Sequence, residues 1–225
     1  MKIRLVNEPL DLFIDNVDIT FNILVIESKT LLYNIIQDLN NQINNEYGDF
    51  VLSIDDTPIE IKDNLELIIN PFNIDINNKK VLLAIQKLAM VEAKNEIHYS
   101  KTNRIISLIE EYAQNIAFTF NGNIAPKTEI TSDNIIKMIN YQVDTFSTNF
   151  YENLFEYLLN SNKYLNIQVF CFINLFNYLE NDQIDELINS CINYDIHVIF
   201  IEASDINYKN NNCKKIIIDS DFCQI

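Results

Sequence analysis

One stretch, residues 167–204, constrains the fold more than any other. It reads "IQVFCFIN", then "ENDQIDELINSCINYD", then "HVIFIEAS". Two short, unbroken apolar runs flank a helical pattern whose acidic residues cluster at its start, where they complement the helix dipole. A strand buried on both faces reads as a continuous apolar run, and a parallel sheet covered on both sides provides that environment. Strand, helix and strand in this order make a βαβ unit. "FNILVIE" at 21–27 and "KKIIID" at 214–219 read as further strands.

The first third predicts short strands around one helix. "KIRLV" and "LDLFI" alternate, and "FVLSIDDTPIEI" predicts a hairpin turning at 55–58. "LELIIN" is a strand stopped by Pro71. Leu31, Leu32, Ile35, Ile36, Leu39 and Ile43 have helical spacing, so a helix spans 29–45. From Asn78 to Phe120 there is neither Gly nor Pro, and the pattern reads as two long helices or one bent helix. "TSDNIIKMINYQVDTF" opens on an N-cap and predicts a short helix, and "NFYENLFEYLLNSNKYL" predicts another. The expected fold class is α/β: a mostly parallel, P-loop-NTPase-like (Rossmann-like) sheet interrupted by an α-helical insertion. The boundaries read 1–95 for the first part, 96–165 for the insertion and 166–225 for the second part.

In "ILVIESKTLLYNIIQDL" the strand meets the helix at Ser28, Lys29 and Thr30, and Lys-Thr at a helix start is how a phosphate loop ends. Such a loop needs glycines, because backbone N–H groups must close around phosphate oxygens. The chain has only Gly48 and Gly122, neither behind a buried strand, and Glu27 would place a carboxylate where the phosphate sits. The strand that should end in a magnesium-holding aspartate ends in Asn174. The expectation is a P-loop-like framework without a functional loop, binding no nucleotide.

No other catalytic set is visible. His98 and His197 lie far apart; His197 opens a buried strand and reads as structural. The four cysteines (Cys171, Cys191, Cys213, Cys223) form no CxxC pair and read as reduced thiols. No apolar run approaches the roughly 20 residues of a membrane span. The N-terminus lacks a signal-peptide pattern, so a cytoplasmic, non-enzymatic protein is expected.

Net charge is −16, which argues against nucleic acid for the chain as a whole. Its distribution says more. Residues 79–104 hold Lys79, Lys80, Lys87, Lys94, Lys101 and Arg104 against Glu92 and Glu96, a net +4, which leaves −20 elsewhere. Four of the lysines recur every seven residues, about 20° short of two helical turns. On one continuous helix they form a slowly drifting stripe about 31 Å long. Such a stripe suits a duplex backbone, read by shape and phosphate and not by base. These six residues are the candidate DNA-binding set; the competing reading is a solvated helix face.

"MKIRLVNEPL" at the start, "ILVIES" at 23–28, "INPFNIDINNKKVL" at 69–82, "NLFEYLLNSNKYL" at 153–165 and "VFCFINLFNYLENDQIDEL" at 169–187 are weak signals singly. In this order and spacing, the chain resembles the CRISPR-associated spacer-adaptation protein of type II-A systems, in its short form. The resemblance implies a homotetrameric ring that threads onto linear double-stranded DNA ends without sequence preference. It also implies work beside the CRISPR integrase proteins and the effector nuclease, and calcium held by acids near the insertion. Glu129 and Asp133 are the acids that fit. Relatives tend to carry acids where this chain has Ala125, Pro126, Lys127 and Thr128. Two alternatives stand beside this reading: a degenerate nucleotide-binding enzyme, and a protein-only adaptor docking through its acidic surface.

Overall fold

A computed structural model describes residues 2–16, 21–127, 129–144 and 149–225. The chain divides into two compact units: Met1–Ile76 with Thr145–Ile225, and Asn77–Asp144.

The first unit contains two sheets. One is antiparallel, ordered β2-β1-β4-β5, from β1 (Ile3–Asn7), β2 (Leu12–Asp15), β4 (Phe50–Ile54) and β5 (Thr57–Ile59). The other is ordered β6-β7-β8-β3-β9, from β3 (Phe21–Ile26), β6 (Leu65–Ile68), β7 (Val169–Ile173), β8 (His197–Glu202) and β9 (Cys213–Ile218). All of its pairings are parallel. The unit is therefore mixed α/β with a parallel sheet. Its helices are α1 (Lys29–Ile43), the short α2 (Ile61–Asn64), α6 (Phe150–Leu165) and α7 (Asn181–Asn193).

The burial patterns follow the sequence. β1 alternates buried and half-buried residues, as a sheet with one covered face should, whereas β3, β7 and β8 are buried at every position. Leu24, Ile26, Cys171, Ile199 and Ile201 share a core with Leu31, Ile35 and Leu39 of α1 and with Leu5, Leu12 and Leu52 of the antiparallel sheet. The alternate residues Phe21, Phe170, Phe172 and Phe200 are fully buried as well. Phe172 and Phe200 stack at 6.3 Å between ring centroids.

With only two glycines, the chain uses Asp or Asn at seven of the eight non-glycine positions with positive φ among the described residues, Phe222 being the eighth. Asp55 and Asp56 have φ of 47° and 64° and close the two-residue hairpin between β4 and β5. Asn166 ends α6 in the same conformation. Short polar side chains tolerate this region through local hydrogen bonds.

The second unit holds α3 (Lys79–Glu92), α4 (Tyr99–Ala117) and α5 (Ser132–Met138). Asn78 caps α3, and a reciprocal Thr131–Asn134 capping box opens α5. The helix expected over 131–146 ends at Met138; residues 145 and 146 lie outside the described set. The helical unit spans Asn77–Asp144, where the sequence reading placed 96–165. The difference lies in α3 and α6. α6 buries Leu154, Tyr157 and Leu158, packs on α7, and hydrogen-bonds Glu66 of β6 through the Tyr157 hydroxyl. Packing partners, not helical periodicity, assign it to the α/β unit.

Candidate nucleic-acid interface

The lysine pattern is continuous in sequence but not in structure. α3 ends at Glu92 and α4 begins at Tyr99, so Lys79, Lys80 and Lys87 belong to one helix, Lys101 and Arg104 to another, and Lys94 to the turn between. The single drifting stripe is thereby corrected to two short groups. Asn95 supplies the reason: its side-chain oxygen takes the His98 N–H at 3.0 Å, and its amide meets the Glu92 carboxylate. Asn and Asp compete in this way with helical backbone bonding. The Thr102 hydroxyl then ties the two helices by donating to the Ala93 carbonyl at 2.8 Å.

Lys79, Lys80, Lys87, Lys101 and Arg104 are all exposed. Among the described residues none of them forms an ion pair. Lys94 does, with Asp133 in the first turn of α5, at 2.8 Å. That hydrogen bond from the lysine holds the Asp133 carboxyl below its ordinary range. The structure thus brings together one candidate DNA contact and one candidate metal ligand.

Glu129 is exposed, and Thr128 lies outside the described residues. Among the described residues no group of three or more His, Cys, Asp or Glu side chains converges as a metal site. The side-chain oxygens of the neighbouring Thr131 and Asn134 are spent on the capping box. Glu129 and Asp133 therefore fall well short of the six to eight oxygens of a calcium shell.

Charge divides between the units. Residues 77–144 hold eight Lys/Arg and seven Asp/Glu, a net +1; the rest of the chain holds eight and twenty-five, a net −17. The helical unit also leaves apolar groups uncovered. Ile105, Leu108, Tyr112 and Ile116 recur at helical spacing along α4 and are all exposed. Among its described residues only Val81, Ala93, Ala117 and Ile136 are buried.

At the carboxyl ends of the parallel strands, Ser28 caps α1 by accepting the Leu31 N–H, and Lys29 and Thr30 point into solvent as an ordinary first turn. Asn174 sits at φ 54° and accepts the Ala203 N–H at 3.0 Å. Nearby lies a group that sequence reading missed. Glu202 ends β8 with 2% exposure and accepts backbone N–H groups of Phe176 and Leu175. Burial pushes its carboxyl up to about 7 despite those bonds. Its signal was present in the sequence: an acid at the end of a continuous apolar run.

The remaining titratable groups read as structural. His197 is buried and Nδ1 faces the Asn16 amide at 2.9 Å, while His98 is exposed just before α4. All four cysteines are free, and burial pushes the Cys171 and Cys191 thiols up to about 12. Among the described residues no helix is long and apolar enough to cross a membrane.

The profile of the family described as CRISPR-associated protein (Cas_Csn2) matches residues 45–222. The chain belongs to the Csn2 family. A CRISPR-associated role follows from that membership. No curated protein matches the chain.

Solved structures give faint likeness. An ATP-binding protein of a putative ABC transporter from Pyrococcus furiosus aligns at 7% identity and TM-score 0.41, over 96% of this chain and 97% of that one. CbiO1 from Clostridium perfringens, part of the ABC transporter complex cbiONQ, aligns at 10% identity and TM-score 0.45, over 96% and 83%. A bacterial Atm1-family ABC exporter with ATP bound aligns at 8% and 0.41, over 97% and 37%. Likeness at this level decides neither fold nor function.

Proposed function

We propose that this Csn2-family chain is a non-catalytic, sequence-independent binder of double-stranded DNA ends that supports spacer acquisition as a homotetrameric ring. The observation that carries the reading is the separation of charge. Five exposed cations lie on α3 and α4 of a unit with net +1, while the rest of the molecule is at −17. A polyanion is repelled by the larger unit and attracted to the smaller one. Two short cationic groups per subunit bind a duplex weakly, and several subunits around one duplex bind it far more strongly.

The uncovered apolar face of α4 supports assembly, because a monomer gains nothing from exposing it. The strand ends support a non-catalytic reading within a P-loop-like framework: a glycine-free turn, Glu27, and an asparagine where a magnesium ligand would stand. Calcium enters this reading only with further oxygen donors, since Glu129 and Asp133 supply two carboxylates and Lys94 holds one. Integrase proteins and the effector nuclease are the proposed co-workers in the cytoplasm.

The test combines sedimentation velocity with a gel shift. A tetramer is expected, and Lys80→Glu with Lys87→Glu is expected to weaken binding to linear duplex by at least about tenfold, as removal of phosphate contacts in each subunit should. Undiminished binding by the double variant would remove α3 from the account.

A further inference from the structure

Three aromatic rings from three distant segments meet on the surface of the α/β unit. Phe72 lies in the 3-10 turn Pro71–Asn73 that follows β6, Phe150 opens α6, and Tyr178 stands three residues before α7. Phe72 stacks on Phe150 at 4.8 Å and 23°, and Tyr178 meets Phe72 edge-on at 5.0 Å and 81°. Both stack and edge contact are favourable ring geometries. The rings are nevertheless open to water, Phe72 by 60% and Tyr178 by 48%.

Local hydrogen bonds tie the backbone beside two of the rings. The Asn70 side chain accepts the Phe72 N–H at 3.0 Å, and the Asn149 side chain accepts the Tyr151 N–H at 3.1 Å, which fixes the turn and the start of α6. Rigid, partly exposed aromatic groups supply contact area at low entropic cost, as residues that dominate interfaces do.

The charged residues closest to the rings along the chain have one sign. Asp75, Glu152, Glu180 and Asp182 lie within four residues of a ring and are all exposed. Residues 63–78, 149–162 and 164–208 contain no Lys or Arg at all. An aromatic face attracts a cation, and a carboxylate rim adds to that attraction. The same rim repels nucleic acid.

We propose that the Phe72–Phe150–Tyr178 cluster is a docking surface for a second protein, one that presents an arginine or lysine beside an aliphatic side chain. The cation lies over the rings within reach of the rim carboxylates, and the aliphatic group covers exposed ring surface. The six cations of the one clearly positive stretch are assigned above to DNA, and the cluster's own neighbours along the chain are acidic, so the complementary cation comes from another protein; that choice of occupant rests on that reading.

The test is a selection of random 12-residue peptides displayed on phage, using the immobilised full-length chain with an excess of the Phe72→Ser, Tyr178→Ser variant as soluble competitor. Both positions are exposed, and the variant is checked for an unchanged thermal melt. Glu152→Gln with Glu180→Gln serves as a second variant that keeps the rings. The expected consensus places Arg or Lys next to Leu, Ile or Met. A synthetic consensus peptide should bind each variant at least about tenfold more weakly, about 1.4 kcal/mol, and lose binding when its cation becomes Glu. Sedimentation and the DNA gel shift of the Phe72→Ser, Tyr178→Ser variant should match those of the unmodified chain. Peptides that do not depend on the rings, or a consensus without a cation, would overturn the proposal. A changed oligomeric state in the ring variant would show that a second copy covers the cluster, which also overturns it. Absence of a gel shift with the unmodified chain, beside ring-dependent binding of a cationic consensus peptide, would defeat the DNA reading and leave the docking surface supported.

Discussion

Glu202→Gln should abolish a defined part of the protein's pH dependence. The Glu202 carboxyl lies buried at the end of β8, where burial raises it from 4.5 to about 7. Between those values the folded state holds a proton that the unfolded chain has released. The folded state binds more protons, so stability falls as pH rises through this window. The gap is about 2.5 pH units, and each unit is worth about 1.4 kcal/mol, so the full effect is about 3 kcal/mol. Glutamine keeps an acceptor for the Phe176 N–H and carries no charge. Urea denaturation at pH 4.5, 6 and 8, followed by circular dichroism because the chain has no Trp, compares the two proteins. Near pH 4.5 they should be nearly equal, and at pH 8 the variant should be more stable by about 3 kcal/mol. Groups common to both proteins cancel in the difference. Parallel curves, or wild type gaining on the variant as pH rises, would refute the reasoning.

Other consequences follow from particular contacts. Phe172→Ala, fully buried on the inner strand β7 and stacked on Phe200, should cost about 3–5 kcal/mol in denaturation experiments. Gly48→Ala should cost about 1–3 kcal/mol. A Cβ there would lie 2.0 Å from Asp38 Oδ1 and 2.5 Å from Gln42 Cγ, displacing side chains that bind the Asp49 and Phe50 backbone. Asp133→Asn should strengthen duplex binding several-fold in a gel shift, since it releases Lys94 from its one acidic partner among the described residues, while leaving the thermal melt nearly unchanged because the pair is exposed.

The parallel sheet was legible because strands buried on both faces must be continuously apolar, and "FNILVIE", "VFCFIN" and "HVIFIEAS" are. The first turn of α1 was legible because Ser28 needs only local partners to cap a helix. The place of the break at 93–98 was not, because the lysine heptad continues through it and the pattern fitted two helices or one bent helix alike; the Asn95 side chain marks the turn. The placement of α6 was hidden for a different reason. An amphipathic pattern shows that a helix has a buried face but not which unit buries it. The three-ring cluster depends on residues far apart in sequence that only the folded topology assembles; an acid ending an apolar run marks Glu202 in the sequence, but its Phe176 N–H partner lies 26 residues away.

A competition gel shift tests the central claim most directly. The purified protein is bound to a labelled linear duplex and challenged with equal masses of unlabelled linear or closed-circular DNA of the same sequence, with and without calcium. A ring that threads onto ends should be displaced by the linear competitor and hardly at all by the circle, and the bound fraction should fall steeply with salt. Equal displacement by the circle would contradict end threading, and absence of any shift at low salt would contradict DNA binding by the helical unit.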